Sequence, residues 1–239
     1  MKSPKELAVQ VGRSAGITAL LYSSAAHGIG AALILAHGAG AGQRSPFIVD
    51  FANALTDLGL DVNTFNFLYT EQRRRRPDRG PVLEECYRAV IDAVRDEVDS
   101  ARRFLFLGGK SMGGRIATQV AAADPGLPIR GLVLLGYPLH PPGRPELRRD
   151  AHLPAVGRPM LFVQGGRDAF GTPAELGPVV ASLSSAAMLY AVEGADHSLK
   201  LSRKSPAEQT AVYAGVQRTI VDWIRTIIAT GGEILPRHD

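Results

Sequence analysis

A glycine-rich turn constrains this chain more than any other feature, because a strand-like run precedes it and a helical pattern follows it. Residues 109–113 have the sequence G-K-S-M-G, which fits the pattern G-x-S-x-G. The strand-like run covers 103–107, and the helical pattern covers 115–123. A serine on such a tight turn is exposed for nucleophilic attack, and small neighbours give the strained backbone the room it needs. The sequence therefore predicts that Ser111 is an exposed nucleophile between a strand and a helix.

Two nucleotide-binding motifs share part of this pattern, and their spacing disfavours both. A phosphate-binding P-loop that ends in G-K-S needs a glycine five positions before Gly109, where Phe104 stands. The glycine-rich segment 38–42 resembles the start of a dinucleotide fingerprint, but Gln43 and Ser45 occupy the places for its third small residue. We therefore do not expect a nucleotide cofactor.

The size and composition of the chain are those of an ordinary globular protein. Its 239 residues suit a single domain spanning 1–239, with 45% hydrophobic and 21% charged residues. Apolar stretches such as 31–36 are far too short to span a bilayer, and the N-terminus lacks the apolar core of a signal peptide. The single cysteine, Cys86, excludes an internal disulfide and suits a reducing compartment. We therefore expect a cytoplasmic protein with no membrane partner.

Positive charge is concentrated in one segment of the chain. The net charge is +4, and five arginines lie at 73–76 and 79. A solvated loop is the favoured interpretation of such a run. The alternative is a loop that attracts an anionic substrate, with Arg76 in contact with it. No aromatic residue alternates with these arginines to stack on bases, so we do not expect nucleic acid as a partner.

Short β-branched and aliphatic runs alternate with longer helical patterns, which is typical of a mainly parallel sheet covered by helices on both faces. The sequence predicts an α/β fold with about eight strands, the first two antiparallel. Little sequence remains for a large lid, and 139–153 is the longest segment that could cover a site. The predicted strands are 7–11, 16–23, 31–36, 62–67, 104–107, 131–136, 159–164 and 188–192. The predicted helices include 46–58, 82–101 with Pro81 at the first helical position, and a last helix that begins with a capping box at 205–208.

The chain offers Ser111 the two partners that a serine nucleophile needs. Serine is a poor nucleophile until a base takes its proton and a third group orients that base. On turns of this kind the partners follow the serine in the order acid, then histidine. Asp168 lies in the turn after the strand 159–164, and His197 lies just past the strand 188–192. We predict that Ser111 is the nucleophile, His197 the general base and acid, and Asp168 the group that holds the imidazole.

Other polar residues near these motifs have alternative interpretations. Asp196 more simply makes a turn hydrogen bond, and Arg167 is a rival partner for Asp168, as a surface ion pair. His140 follows the strand 131–136 and either contacts substrate or lies in solvent. The remaining interpretations are a loop-bracing role for His37, a surface role for Lys110, and structural or exposed positions for His27, His152 and His238.

Acyl transfer also needs N–H donors for the oxyanion that forms on attack. One usual donor is the residue after the nucleophile, and the other lies in the loop after the third strand. The glycines of 37–42 let the backbone turn its amides inward. The sequence therefore predicts an oxyanion hole at Ala39 and Met112, and the alternative is that 37–42 is simply a flexible turn.

Four motifs carry a family resemblance that covers nearly the whole chain. They are H-G-A-G-A-G at 37–42, G-G-K-S-M-G-G-R at 108–115, L-G-Y-P-L-H-P-P-G-R-P at 135–145 and G-A-D-H-S-L-K at 194–200. The chain resembles the α/β-hydrolases, and within them the small, lidless group named after Tex-thirty and NSL subunit three. It is also similar in size to dienelactone hydrolases, which use a cysteine where this chain has Ser111. The resemblance implies an eight-stranded α/β-hydrolase fold without a large lid, and it assigns the same triad.

The sequence thus predicts a serine hydrolase that cleaves a small-molecule carboxylic ester or similar acyl bond through an acyl-enzyme. No clustered set of histidine, cysteine and aspartate ligands is present in the sequence, so we expect no metal and no organic cofactor. Two alternatives use the same fold: a non-catalytic interaction module, and an acyltransferase with an acceptor other than water. The sequence does not indicate an oligomeric state.

Overall fold

One eight-stranded sheet organises the molecule, with helices on both of its faces. The computed structural model describes residues 3–13, 15–25, 28–184, 186–202 and 205–231. The strands are β1 (Lys5–Val11), β2 (Ala15–Tyr22), β3 (Ala32–Ala36), β4 (Asp61–Phe65), β5 (Leu105–Lys110), β6 (Gly131–Leu135), β7 (Met160–Gly165) and β8 (Ala187–Val192). The α-helices are α1 (Pro46–Asp57), α2 (Leu68–Glu71), α3 (Gly80–Glu97), α4 (Asp99–Arg103), α5 (Met112–Ala123), α6 (Pro173–Ser182) and α7 (Pro206–Ala229). Among the described residues, no helix is both long and apolar enough to cross a bilayer.

The order of the strands determines where a site can form. The sheet runs β1-β2-β4-β3-β5-β6-β7-β8. β2 is antiparallel to β1 and to β4, and every other pairing is parallel. The carboxyl ends of the parallel strands, β3 to β8, therefore lie along one edge of the sheet. The predicted α/β class and the antiparallel opening pair are confirmed.

Both faces of the sheet are buried under helices. Successive residues of each central strand point to opposite faces, so each strand contributes to two apolar cores. On β3, Ile34 packs into one apolar core with Tyr87 of α3 and Ile116 of α5. Its neighbour Leu35 packs into the other core with Phe51 of α1 and apolar residues of α7. The capping box predicted at 205–208 is present, and α7 begins there. The two helix layers hold the central strands in place. Because both faces of the sheet are apolar, polar side chains can gather in the loops at its carboxyl edge.

Several boundaries differ from the predicted ones. The helix predicted over 82–101 is interrupted at Val98, whose extended backbone (φ −117°, ψ 114°) separates α3 from α4. A β-branched valine is a weak helix former, and Val98 packs against the core from this conformation. Pro81 is the second residue of α3 rather than the first, because Arg79 is the N-cap. β4 ends at Phe65, before its predicted end, and the short α2 follows it.

β5 continues to Lys110, beyond its predicted end at 107. Glycine is unfavourable in strands, so local preference at Gly108 and Gly109 indicates a turn. In the sheet, however, a β-carbon on Gly108 would lie 2.4 Å from the carbonyl oxygen of Val133. The adjacent strand thus requires a residue without a side chain at this position. The strand therefore extends to the residue immediately before the serine.

Ser111 lies in a strained backbone conformation at the end of β5. Its φ of 51° and ψ of −115° fall in a region that residues with side chains seldom adopt. Close packing beneath it imposes this turn, since a β-carbon on Gly113 would lie 2.6 Å from the carbonyl oxygen of Ala36. A β-carbon on Gly109 would lie 2.6 Å from the carbonyl carbon of Gly113. The prediction that glycines provide room at this turn is confirmed.

Gly113→Ala should lower the free energy of unfolding by about 1–3 kcal/mol, because the added methyl group must displace the end of β3. Gly177→Ala is the matched control, since its β-carbon in α6 would meet only Leu189 Cδ2, at 3.9 Å. Alanine favours a helix more than glycine does, so the control should keep its stability or gain up to about 1 kcal/mol. Urea unfolding of both variants measures the difference. A Gly113→Ala protein as stable as wild type would contradict the packing argument.

Candidate active site

The structure brings Ser111, Asp168 and His197 together at the carboxyl edge of the sheet. Ser111 Oγ lies 2.8 Å from His197 Nε2. His197 Nδ1 lies 2.9 Å and 2.8 Å from the two carboxylate oxygens of Asp168. The serine comes from the turn between β5 and α5, the aspartate follows β7, and the histidine follows β8. Three separate loops thus join a hydroxyl, an imidazole and a carboxylate in one hydrogen-bonded chain.

The carboxylate of Asp168 is buried and held in one orientation. Its side chain is 0% exposed, whereas that of His197 is 21% exposed. The backbone N–H of Phe170 donates to Oδ1 at 2.8 Å, and Gln164 Nε2 donates to Oδ2 at 2.9 Å. A carboxylate fixed in this way accepts a hydrogen bond from Nδ1–H and leaves Nε2 free to accept one from the serine. The arrangement selects the imidazole tautomer that base catalysis needs.

Gln164 is a positioning residue that the sequence analysis did not single out. It is fully buried near the end of β7. Its Oε1 accepts from Tyr137 N–H, and its two Nε2 hydrogens are shared among three acceptors, which are the carbonyl oxygens of Tyr137 and Gly171 and Oδ2 of Asp168. The amide therefore links the loops after β6 and β7 to the carboxylate. A lone polar residue in the otherwise apolar predicted strand 159–164 was the available signal.

Lys110 is buried beside the histidine, so the surface role predicted for it is wrong. Its Nζ donates a hydrogen bond to the carbonyl oxygen of His197, and the residue is only 9% exposed. Gly136 leaves the space for this contact, because a β-carbon there would lie 2.8 Å from that oxygen and 3.1 Å from Nζ. Burial lowers the pKa of Lys110 to about 8, although the negative charges of Asp168 and Asp196 act to raise it. The lysine ties the end of β5 to the loop that carries the histidine.

Ala39 and Met112, the predicted oxyanion-hole residues, line the same cleft as the serine. Within the part of the chain that the structure describes, neither backbone N–H donates to a protein acceptor. His37 braces this loop as predicted, with Nδ1 at 2.8 Å from Gly38 O and Nε2 accepting from Phe67 N at 3.2 Å. Burial lowers the pKa of His37, which favours this neutral form. Two N–H groups are thus available to an oxygen bound beside the serine.

The other polar residues near the site, Asp196, Arg167 and His152, are bonded to nearby loops and helices. Asp196 makes the expected turn, because its Oδ1 accepts from two backbone N–H groups of its own loop. Arg167 does not pair with Asp168, and its guanidinium donates instead to Gly194 O and a serine hydroxyl beyond β8. His152 is structural, with Nε2 at 2.8 Å from the hydroxyl of Thr118. His27 and His238 lie outside the described residues.

The structure does not bring the two predicted substrate-binding residues, His140 and Arg76, into the cleft. His140 is 5% exposed, and its ring nitrogens lie 2.9 Å from Pro141 O and 3.2 Å from Glu175 Oε1. These contacts hold the ring against its own loop and Glu175 of α6, and His140 does not line the cleft. Arg76 is exposed and does not line the cleft. The exposure of the arginines at 73–76 and 79 agrees with the favoured interpretation of a solvated segment.

A cleft of about 810 Å³ lies beside Ser111 at the carboxyl edge. Its apolar wall includes Phe170 and Tyr213, and the ring of Phe170 stacks on the imidazole of the candidate triad at 4.2 Å between centroids. Arg115 and Arg149 also line it, and neither was predicted from the sequence to do so. The spacing of Arg115, one helical turn after the serine, was an available signal. For Arg149, the available signal was its position within the segment 139–153, the longest segment that could cover a site.

Comparisons with known proteins agree with this architecture. Residues 29–225 match the α/β-hydrolase domain family, and the chain belongs to that family. One similar structure is an α/β serine hydrolase without a lid from Xanthomonas campestris, with 20% identity and a TM-score of 0.67 over 92% of this chain and 96% of that one. Another is a dienelactone hydrolase from Anabaena variabilis, with 23% identity and a TM-score of 0.70 over 92% and 99%. The esterase domain of a Rhodothermus marinus protein has 17% identity and a TM-score of 0.69 over 94% and 98%.

Lys110→Met should change how stability depends on pH. The pKa of Lys110 is about 8 in the folded protein and 10.5 in its ordinary state. Between these values the unfolded chain binds more protons, so the free energy of unfolding rises with pH across that window. The rise that this lysine contributes should be on the order of 1–3 kcal/mol.

The methionine variant should lack this rise, whereas Lys200→Met, at an exposed lysine, should keep it. Urea unfolding at the two ends of the window measures the effect. Parallel pH dependence of wild type and Lys110→Met would contradict the burial of a charged lysine at this position.

Proposed function

We propose that this protein is a serine hydrolase that cleaves carboxylic esters or similar acyl bonds through an acyl-enzyme. The observation that carries the proposal is the 2.8 Å contact between Ser111 Oγ and His197 Nε2, with Asp168 on the far side of the imidazole. A serine hydroxyl that is hydrogen-bonded to a neutral imidazole can lose its proton as it attacks. Membership of the α/β-hydrolase family, and a fold shared with a lidless serine hydrolase and an esterase domain, support the same class of reaction.

In the first half of the proposed reaction, Ser111 Oγ attacks the carbonyl carbon of the ester while His197 Nε2 takes the hydroxyl proton. The carbonyl oxygen becomes an oxyanion, to which the N–H groups of Ala39 and Met112 donate. α5 begins at Met112, so the positive end of the helix dipole also faces this charge. The intermediate then collapses, the imidazolium gives its proton to the leaving alcohol, and the acyl group stays on the serine.

In the second half, water takes the place of the alcohol. Ser111 and His197 are both partly exposed, so solvent reaches the acyl-enzyme. His197 removes a proton from the water as its oxygen attacks the acyl carbon, and the acid leaves while the serine regains its proton. A larger alcohol or amine in place of water would give acyl transfer by the same residues.

The strained turn favours a catalytic function over that of a non-catalytic interaction module. Ser111 has a φ of 51° and is not a glycine, and such strain costs about 1–3 kcal/mol. Strain of this kind persists where the surrounding structure imposes it, and it is concentrated at functional sites. A module that bound a partner through its outer surface would gain nothing from this conformation.

Ser111→Ala should reduce kcat for a simple ester by at least about a thousandfold, because the nucleophile is gone. His197→Ala should cost nearly as much, and the double variant little more, since the residues act as a unit. Ser182→Ala is the control, because this exposed serine on α6 bonds only its own helix. Steady-state kinetics of the four variants test the assignment. Additive losses, or full activity of Ser111→Ala, would contradict it.

The cleft should favour small or short-chain esters over emulsified long-chain lipid. The segment 139–153, the longest candidate for a cover, is held against the protein by a 2.7 Å bond from Tyr137 OH to Arg149 O. The 3-10 turn that follows it, Leu153–Val156, packs against α5. A series of acetyl, butyryl, octanoyl and palmitoyl esters should show kcat/KM falling with chain length. Highest activity on the palmitoyl ester at a lipid interface would show this expectation wrong.

A further inference from the structure

Two arginines face the cleft that contains Ser111, and their backbones are well fixed. Arg115 lies on α5, and its N–H donates to Ser111 O at 3.1 Å, so it stands one helical turn from the serine. Arg149 N–H donates to Leu139 O at 2.9 Å, and Arg149 O accepts from the hydroxyl of the buried Tyr137 at 2.7 Å. Both residues line the cleft together with the serine. The backbone hydrogen bonds therefore fix where each arginine side chain begins relative to the serine.

Neither guanidinium forms an ion pair with a carboxylate of the described chain, although the charge of Glu84, which pairs with Arg88, acts on Arg115. Arg115 Nη1 donates only to the neutral amide of Gln119, at 3.2 Å. Arg149 has no side-chain hydrogen bond or ion pair to any described residue. The adjacent carboxylate, Asp150, is taken by Arg148, with Nη2 and Oδ2 2.5 Å apart. Two acids line the cleft: Asp78 pairs with Arg74, and Asp50 forms no ion pair with Arg115 or Arg149 in the described structure.

The two guanidinium groups also act on each other. Both residues are half-buried. Burial lowers the pKa of Arg115, and the charge of Arg149 lowers it further, which means that two like charges share a partly desolvated region. An anion placed between them would relieve the desolvation and the repulsion together. The guanidinium fork matches the geometry of a carboxylate or phosphate group.

We propose that Arg115 and Arg149 form an anion-binding subsite, so that the ester cleaved at Ser111 carries a carboxylate or a similar oxyanion on its acyl or leaving group. The inference rests on the proposed function for its catalytic part, although binding of the anion does not require catalysis. It assigns charge selectivity to the cleft arginines rather than to the segment 73–79, whose arginines are exposed.

The first experiment compares two p-nitrophenyl esters of nearly equal shape, the hemisuccinate and the pentanoate. Wild type should prefer the anionic hemisuccinate. Arg115→Gln and Arg149→Gln should each reduce kcat/KM for the hemisuccinate about tenfold, mainly through KM, because a hydrogen bond to a charged group is lost. Hydrolysis of the neutral pentanoate should be retained, which also shows that the variants fold. Arg76→Gln is the matched control, and it should change neither substrate.

Further experiments show whether the bound anion lies on the acyl or the leaving group. They also test anion binding separately from catalysis. Phenyl acetate and its para-carboxylate derivative place the anion on the leaving group, while inhibition by succinate and by inorganic phosphate compares the two oxyanions. Calorimetry of succinate binding to Ser111→Ala, with and without Arg149→Gln, reports the subsite without catalysis. Loss of binding in the double variant would support the subsite even if no ester were hydrolysed. Equal charge selectivity in wild type, Arg115→Gln and Arg149→Gln, with unchanged anion binding, would overturn it.

Discussion

The close packing of the end of β3 against the start of α5 is the constraint on which the site depends. The carbonyl oxygens of Ala36 and His37 lie 2.6 Å and 2.7 Å from where a β-carbon on Gly113 would be. The chain can pass this point only through a sharp turn, so Ser111 keeps its positive φ. The two packed cores hold β3, β5 and α5 in place, and the strain cannot be released locally. The hydroxyl is thereby presented to His197 before any substrate arrives.

The imidazole is fixed by buried polar groups from two other directions. Lys110 bonds the carbonyl oxygen of His197, and Gln164 bonds the carboxylate of Asp168. Because both groups lie within the protein, small displacements of their strands would leave a buried donor unpaired, at a cost of about 1–3 kcal/mol. The positions of the strands therefore fix the positions of His197 and Asp168 in the candidate triad. Arg115 and Arg149 differ in kind, since both line the cleft and neither forms an ion pair with a described carboxylate.

Much of the fold and the core of the site could be predicted from the sequence, because both depend on local patterns. The apolar runs located all eight strands, and the order serine, acid, histidine selected Ser111, Asp168 and His197, which the fold brings within hydrogen-bonding distance. The predictions that were wrong, for the end of β5 and for Lys110, concern features that depend on tertiary contacts. Local preference placed the end of β5 before Gly108, whereas the neighbouring strand requires that glycine. The burial of Lys110 depends on the empty space at Gly136, which no local pattern shows.

The substrate-binding residues show the same limit more clearly. A run of arginines makes Arg76 a candidate substrate contact, yet charge density along a sequence does not indicate which side chains face a cleft. Arg149 reaches the cleft only because the loop after β6 folds back, with its carbonyl bonded to Tyr137. His140 was placed on the correct edge of the sheet, but its ring turns into its own loop. Position on an edge could be predicted, and the direction of a side chain could not.

If the strained turn presents Ser111 as a covalent nucleophile, an acyl-enzyme on this serine can be trapped. The protein would be mixed rapidly with p-nitrophenyl acetate, quenched in acid and digested for mass spectrometry. We expect a burst of nitrophenol equal to the enzyme concentration, with the mass of one acetyl group on the peptide that contains Ser111. Steady hydrolysis without an acyl adduct, or an adduct on another residue, would contradict it.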